Sequence, residues 1–150
     1  MVFDDSGSAV LGPGKPRWSL AAAGDLCAIG RVEKALCQSG SEAMLGSRLR
    51  GVLSGATVRL VNLESPVCEK AAPIAKTGPN FQSSPRALSA LEAAGLDVVA
   101  LANNHILDQG VQGLEETLRR LDALGIGHSG AGLTHPDARR AHRRTIGTRA

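Results

Sequence analysis

Apolar and polar positions along this chain switch between two periods. Val98-Val99-Ala100-Leu101 is continuously apolar and ends at Asn103-Asn104-His105, which reads as a buried strand running into a polar site. Two earlier runs end alike. Trp18-Ser19-Leu20-Ala21-Ala22-Ala23 passes into Gly24-Asp25, and Thr57-Val58-Arg59-Leu60-Val61 passes into Asn62-Leu63-Glu64-Ser65-Pro66. Helical spacing intervenes between these runs. Ser84 as N-cap and Pro85 in the first turn open a helix that carries Leu88 and Leu91 on one face and stops at Gly95. Another runs from about Gly113 to Leu124, with Leu114, Leu118 and Leu121 as its stripe and Gly125 at its end. Glu115–Arg119 and Glu116–Arg120 stand one turn apart on its wet face. Between Arg31 and Leu53 the helical signal is broken by Gly40 and Gly46, which predicts two short pieces. Strands alternating with helices predict an α/β fold: a layered, mostly parallel sheet with helices on both faces.

The three strand ends deliver carboxylate, amide and imidazole groups to the edge where open α/β sheets place their sites. Asp25 offers a divalent cation an anionic oxygen, Glu64 offers two and can bridge a pair of ions, and the Asn104 amide adds a neutral ligand. Asp108 stands where it can orient the His105 ring. The same residues have a plainer reading. Gly24-Asp25 suits a turn, Asn62 and Glu64 suit chain caps before Pro66, and Asn103-Asn104 suits a polar turn with His105 at the surface.

Taken in order, Ala23-Gly24-Asp25, Val61-Asn62-Leu63-Glu64-Ser65-Pro66, Gly78-Pro79-Asn80-Phe81 and Leu101 through Gly110 resemble the CapA / PgsA-type poly-γ-glutamate and capsule biosynthesis proteins. Those belong to the calcineurin-like metallophosphoesterase superfamily. The closing Gly125-Ile126-Gly127-His128 and Gly130-Ala131-Gly132 fit the same order, so the resemblance covers roughly Ser19 to Leu133. It implies a partial metallophosphoesterase-like fold and a metal-dependent hydrolase of phosphoesters, with one or two divalent ions drawn from Mn, Zn, Fe or Mg. Asp25, Glu64 and Asn104 would be the metal ligands. His105 would be the acid, with Asp108 behind it. An anionic polymer or a phosphoester would be the substrate. Lys76-Thr77-Gly78-Pro79-Asn80-Phe81 would be either a substrate-contacting loop or a plain turn.

Composition narrows this picture. The 150 residues suit one domain, and the only aromatics are Phe3, Trp18 and Phe81. That argues against base-stacking nucleic-acid modules, so no specific nucleic-acid partner is expected. The net charge of +3 is carried by Arg139, Arg140, Arg143, Arg144 and Arg149 near the end. Residues 1–17, rich in Gly, Ser and Pro, read as a loose arm, 18–133 as the α/β domain and 134–150 as a basic, disordered tail. Cys27, Cys37 and Cys68 form no C-x-x-C pair, and reduced thiols in a cytoplasmic setting are the default. No apolar run approaches the roughly 20 residues of a transmembrane helix. Gly12-Pro13-Gly14-Lys15 lacks the earlier glycine and the following Ser or Thr of a phosphate loop, and Gly130-Ala131-Gly132 lacks a third glycine for a dinucleotide.

Beyond Leu133 the alternation expected for a further strand is absent. The chain therefore reads as the N-terminal half of such a domain, with a truncated or frame-shifted end. A half site would hold metal only weakly. The rival from another class is a non-catalytic fragment or a small binding module.

Overall fold

The computed structural model describes the backbone of residues 2–3, 9–10, 18–70 and 72–146, and the side chains of 18–40, 45–70 and 72–146. Within the arm, β1 (Val2–Phe3) pairs antiparallel with β2 (Ala9–Val10). The rest of the arm, the Gly12–Lys15 stretch included, lies outside the described residues. The domain is a four-stranded sheet in the order β3 (Leu20–Leu26), β4 (Val58–Leu63), β5 (Val98–Ala100), β6 (Gly127–Ser129). Every neighbouring pair is parallel, so all four carboxyl ends lie along one edge. Helices connect the strands, giving the layered α/β architecture expected.

The strands form where the sequence is apolar and are buried unequally. Val61, Leu63, Val99 and Leu101 join Leu88, Leu91, Leu114, Leu121 and Ile126 in the main core. The outer strand β3 stays exposed over most of its length, Leu20 included. Asp97, just before β5, ties the strand starts together. Its Oδ2 accepts from the Arg59 backbone N–H (2.8 Å), and its Oδ1 pairs with Arg144 (2.9 Å).

Helix α1 (Gly30–Gly55) leaves helical geometry at Gly40 (φ 73°) and Gly46 (φ 61°), the two breaks expected from sequence. Both adopt the left-handed backbone that a side chain disfavours. The second helical segment starts as a 3₁₀ turn (Pro85–Ala87) and continues as α2 (Leu88–Ala93). Ser84 holds the N-cap position but makes no capping bond, and its buried Oγ has no partner among the described residues. That corrects the expected cap. Helix α3 (Gly110–Ala123) starts a turn earlier than its apolar stripe suggests and ends, as expected, before Gly125 (φ 66°). Glu116 and Arg120 pair at 2.6 Å, whereas Glu115 and Arg119 form no pair among the described residues.

The basic tail carries a short helix of its own. Thr134 caps α4 (His135–Ala138) by accepting from the Asp137 N–H, and Pro136 suits its first turn. Ser129 Oγ then donates to the Arg140 carbonyl (3.0 Å), and Arg144 reaches Asp97. These contacts tie the stretch from Thr134 to Arg144 to the domain; 147–150 lie outside the described residues.

Candidate active site at the carboxyl edge of the sheet

The site begins with an irregularity in β3. Ala22 pairs with Leu60, but Asp25 pairs with Asn62, so β3 spends one extra residue against β4. Without that bulge Gly24 would stand opposite Asn62. A one-residue insertion flips side chains to the other face, and bulges commonly re-aim a side chain next to a site. Here it places the Asp25 carboxylate beside the Asn62 amide, whose Nδ2 donates to Asp25 Oδ1 (2.7 Å). Asn62 Oδ1 in turn accepts from Asn103 Nδ2 (3.1 Å), which also donates to the Leu63 carbonyl (2.9 Å). Asn103 Oδ1 accepts from the His105 N–H (3.0 Å), closing a turn two residues long. One chain of amides thus links the ends of β3, β4 and β5.

His105 sits at the end of that chain and is buried. Its Nδ1 lies 2.7 Å from Asp108 Oδ2, and its Nε2 lies 4.0 Å from Glu64 Oε1. Asp108 is fully buried and accepts from Lys76 at Oδ1 and from the Phe81 N–H at Oδ2 (2.6 Å). Burial alone would raise the Asp108 pKa. The Lys76 ammonium, the Phe81 N–H and His105 outweigh it and hold the carboxyl below its ordinary value. An ionised carboxylate only accepts, so the proton between the two groups belongs to Nδ1. The ring is thereby oriented with its Nε2 edge on the Glu64 side. The Phe81 ring stacks on the imidazole with centroids 3.9 Å apart and planes 10° from parallel.

Asp25, Glu64, His105 and Asp108 therefore share one edge of the molecule. Asn104 lies there too, but it is exposed and its side chain has no hydrogen-bond partner among the described residues. Its neighbour Asn103 is the amide built into the network. Sequence reasoning gave no separate part to Asn62 or Asn103, and it left Lys76 and Phe81 between a substrate loop and a turn. The signal that could have found these two is an apolar ring and a cation flanking Gly78-Pro79, a turn that folds the loop back. Cys27 lies beside Glu64 and Ser65. Burial, then the Glu64 charge, raises its pKa, so it is a poor nucleophile. His128 pairs with Asp122 (3.1 Å) away from the site.

The donor set suits a hard cation only in part. Among the described residues no three His, Cys, Asp or Glu side chains converge closely enough to hold an ion. The oxygens of Asp25 and Glu64 are of the right chemistry, but one Asp25 oxygen is already engaged by Asn62. A cavity of about 690 Å³ opens elsewhere, among α3, β6 and the tail. Its Arg119, Arg140 and Arg143 are matched by Glu115, Asp122 and Asp137, so its charge selects no ion.

Comparison with known proteins places this edge in context. Residues 19–150 match the family model of the bacterial capsule synthesis protein PGA_cap. The chain belongs to this family. The match continues through the tail, beyond the point near Leu133 where the motif resemblance fades. Among curated members, a probable polyglutamine synthesis accessory protein of Mycobacterium tuberculosis is 39% identical over 90 residues. That stretch is 60% of this chain and 24% of the relative, so this capsule-family chain aligns with about a quarter of the relative's length. An uncharacterized protein of Sinorhizobium fredii is 48% identical over 48 residues, which are 32% of this chain and 10% of that relative. Among the described residues no helix of this family member is long and apolar enough to cross a membrane.

Proposed function

We propose that this chain contributes to synthesis of an anionic capsule polymer of the poly-γ-glutamate kind, and that its working group is the His105–Asp108 pair. The observation that carries the reading is the buried, ionised Asp108 holding His105 with Nε2 toward Glu64. Such a pair fixes ring orientation and lets Nε2 take up and return a proton. The neutral ring is a base at Nε2, and the charged ring is the acid that the family resemblance implies. The reaction class is hydrolysis or transfer at a phosphoester or at the polymer itself.

Asp25 and Glu64, helped by the Asn104 amide, would hold a divalent cation such as Mn²⁺ or Zn²⁺ loosely. Such a cation lowers the pKa of bound water and polarises an oxygen under attack. The chain's own residues do the rest. The Asn62–Asn103 amides align the edge, Glu64 faces Nε2, the nitrogen that would take up and return the proton, and Phe81 keeps water off one imidazole face. The rival reading, a binding module without catalysis, is favoured by the absence of a three-residue metal cluster among the described residues.

The test is deletion of the gene in its host, followed by complementation. Restoration of capsule polymer by the wild-type gene but not by His105→Ala is expected. Full restoration by His105→Ala would remove the catalytic reading and favour the binding module. An unchanged polymer yield on deletion would overturn the capsule role.

A further inference from the structure

The loop between β4 and the 3₁₀ turn brings Lys76 and Phe81 onto His105 although 29 and 24 residues separate them in the chain. Thr117 and Glu116 hold the start of that loop at Val67 and Glu69, and Gln82 and Ser83 hold its end, whereas the stretch from Ala72 to Phe81 is spanned by one side chain. Gln109 is buried. Its Oε1 accepts from the Ala72 N–H (2.8 Å), and its Nε2 donates to the Phe81 carbonyl (2.9 Å). A primary amide is well suited to this, since one end accepts and the other donates. Space for it is provided by α3. A Cβ built on Gly113 would lie 2.4 Å from the Gln109 Cβ, so only glycine leaves room for the side chain in this position.

We propose that Gln109 is a positioning residue for the His105 centre: by bridging Ala72 and Phe81 it sets the loop so that the Phe81 ring lies flat on the imidazole. It touches neither His105 nor any substrate, and it acts through Phe81. Phe81 has a second tether, its N–H to Asp108, and the next residues are held by Gln82 to the Cys68 carbonyl (3.0 Å) and the Ser83 N–H to the Pro66 carbonyl (2.9 Å), but the Phe81 carbonyl itself is held by Gln109. Bonds at both its N–H and its carbonyl restrain the Phe81 backbone, and with it the direction in which the ring leaves the chain toward His105. The consequence for function rests on the acid–base reading of His105 above, whereas the geometric claim does not.

The experiment therefore reads geometry in the resting protein. A ring stacked on an imidazole displaces the imidazole C–H proton resonances upfield, a signature that a role confined to folding would leave unmoved. In Gln109→Met, which keeps length and apolar bulk but neither hydrogen bond, that displacement should fall by at least half. Exchange of the Ala72 amide should quicken by roughly tenfold, the effect of one ordinary hydrogen bond lost from a local opening. Gln109→Glu keeps the acceptor for Ala72 but sets an oxygen against the Phe81 carbonyl. It should lose the upfield displacement while keeping Ala72 protected, and it carries the decision should Gln109→Met fail to fold. An undiminished displacement in a folded variant would overturn the proposal, because Asp108 and the contacts of Gln82 and Ser83 would then be holding Phe81 without Gln109. The capsule reading can fail in the complementation test while this result stands, and the reverse holds equally.

Discussion

Three contacts of the site converge on Asp108. It takes hydrogen bonds from Lys76, the Phe81 N–H and His105 with no exposure to water. Replacing it by Asn keeps the shape but leaves Lys76 beside a neutral amide, and removal of one partner of a buried pair costs about 3–5 kcal/mol. We expect Asp108→Asn to lose stability of that order in urea unfolding at pH 7. The pH dependence has a definite sign. A carboxyl whose folded pKa lies below its unfolded value stabilises the fold above the ordinary carboxylate pKa, about 4, and that contribution is lost as pH falls through the lower, folded value. The gap between wild type and Asp108→Asn should therefore be full at pH 5 and above and shrink only below about pH 4. A gap that closes between pH 7 and 5 would assign the effect to another group. Metal binding is tested at the same scale. Mn²⁺ or Zn²⁺ at high concentration should raise the melting temperature, since a ligand that binds only the folded state stabilises it. Asp25→Ala should abolish the shift, and His105→Ala should keep much of it. An equal shift in Asp25→Ala would show that the first strand end is not a ligand.

At the scale of elements, the glycines of α3 separate local from tertiary constraint. Gly125 needs its left-handed backbone (φ 66°) but has open space where a Cβ would go. Gly125→Ala should cost about 1 kcal/mol, the strain of that conformation alone. Gly113 has the opposite problem. A helical Gly→Ala change ordinarily gains up to about 1 kcal/mol, yet here the new Cβ meets Gln109 at 2.4 Å. Overpacking of this kind costs about 1–3 kcal/mol, so Gly113→Ala should be net destabilising in denaturant titrations. A stabilised Gly113→Ala would mean that Gln109 moves aside freely. The helix stops at Gly95 and Gly125 were legible because a left-handed terminus is a demand on one residue. The Ser84 cap was not realised: the segment opens as a 3₁₀ turn, and the buried hydroxyl meets no partner among the described residues.

For the whole molecule, stability rests on a main core shared by α2, α3 and the inner strands, with a second, smaller cluster where Leu36 of α1 meets Ala87 and Ala90. Leu121 is fully buried on the stripe of α3, and Leu121→Ala should cost about 2–5 kcal/mol by thermal or urea unfolding. Val52, 59% exposed on α1, should tolerate Ala within about 0.5 kcal/mol. Similar losses at both positions would mean that α1 is covered in solution. The tail belongs to this scale as well. Its arginines read as solvated charge, yet Arg144 finds Asp97, a residue already bonded to Arg59 across the sheet.

The order of strands and helices, the parallel sheet and the polar carboxyl edge follow from the sequence by itself, because hydrophobic period, glycine stops and strand-end residues are properties of short segments. Tertiary structure alone decided which of two adjacent amides turns inward. Asn103 does, since its position lets it bridge Asn62 and cap His105, while Asn104 is left facing outward. It also decided the bulge that aims Asp25, which depends on how β3 meets β4, and the arrival of Lys76 and Phe81 at His105 from a distant loop. These are contacts between segments far apart in the chain, and no local period encodes them.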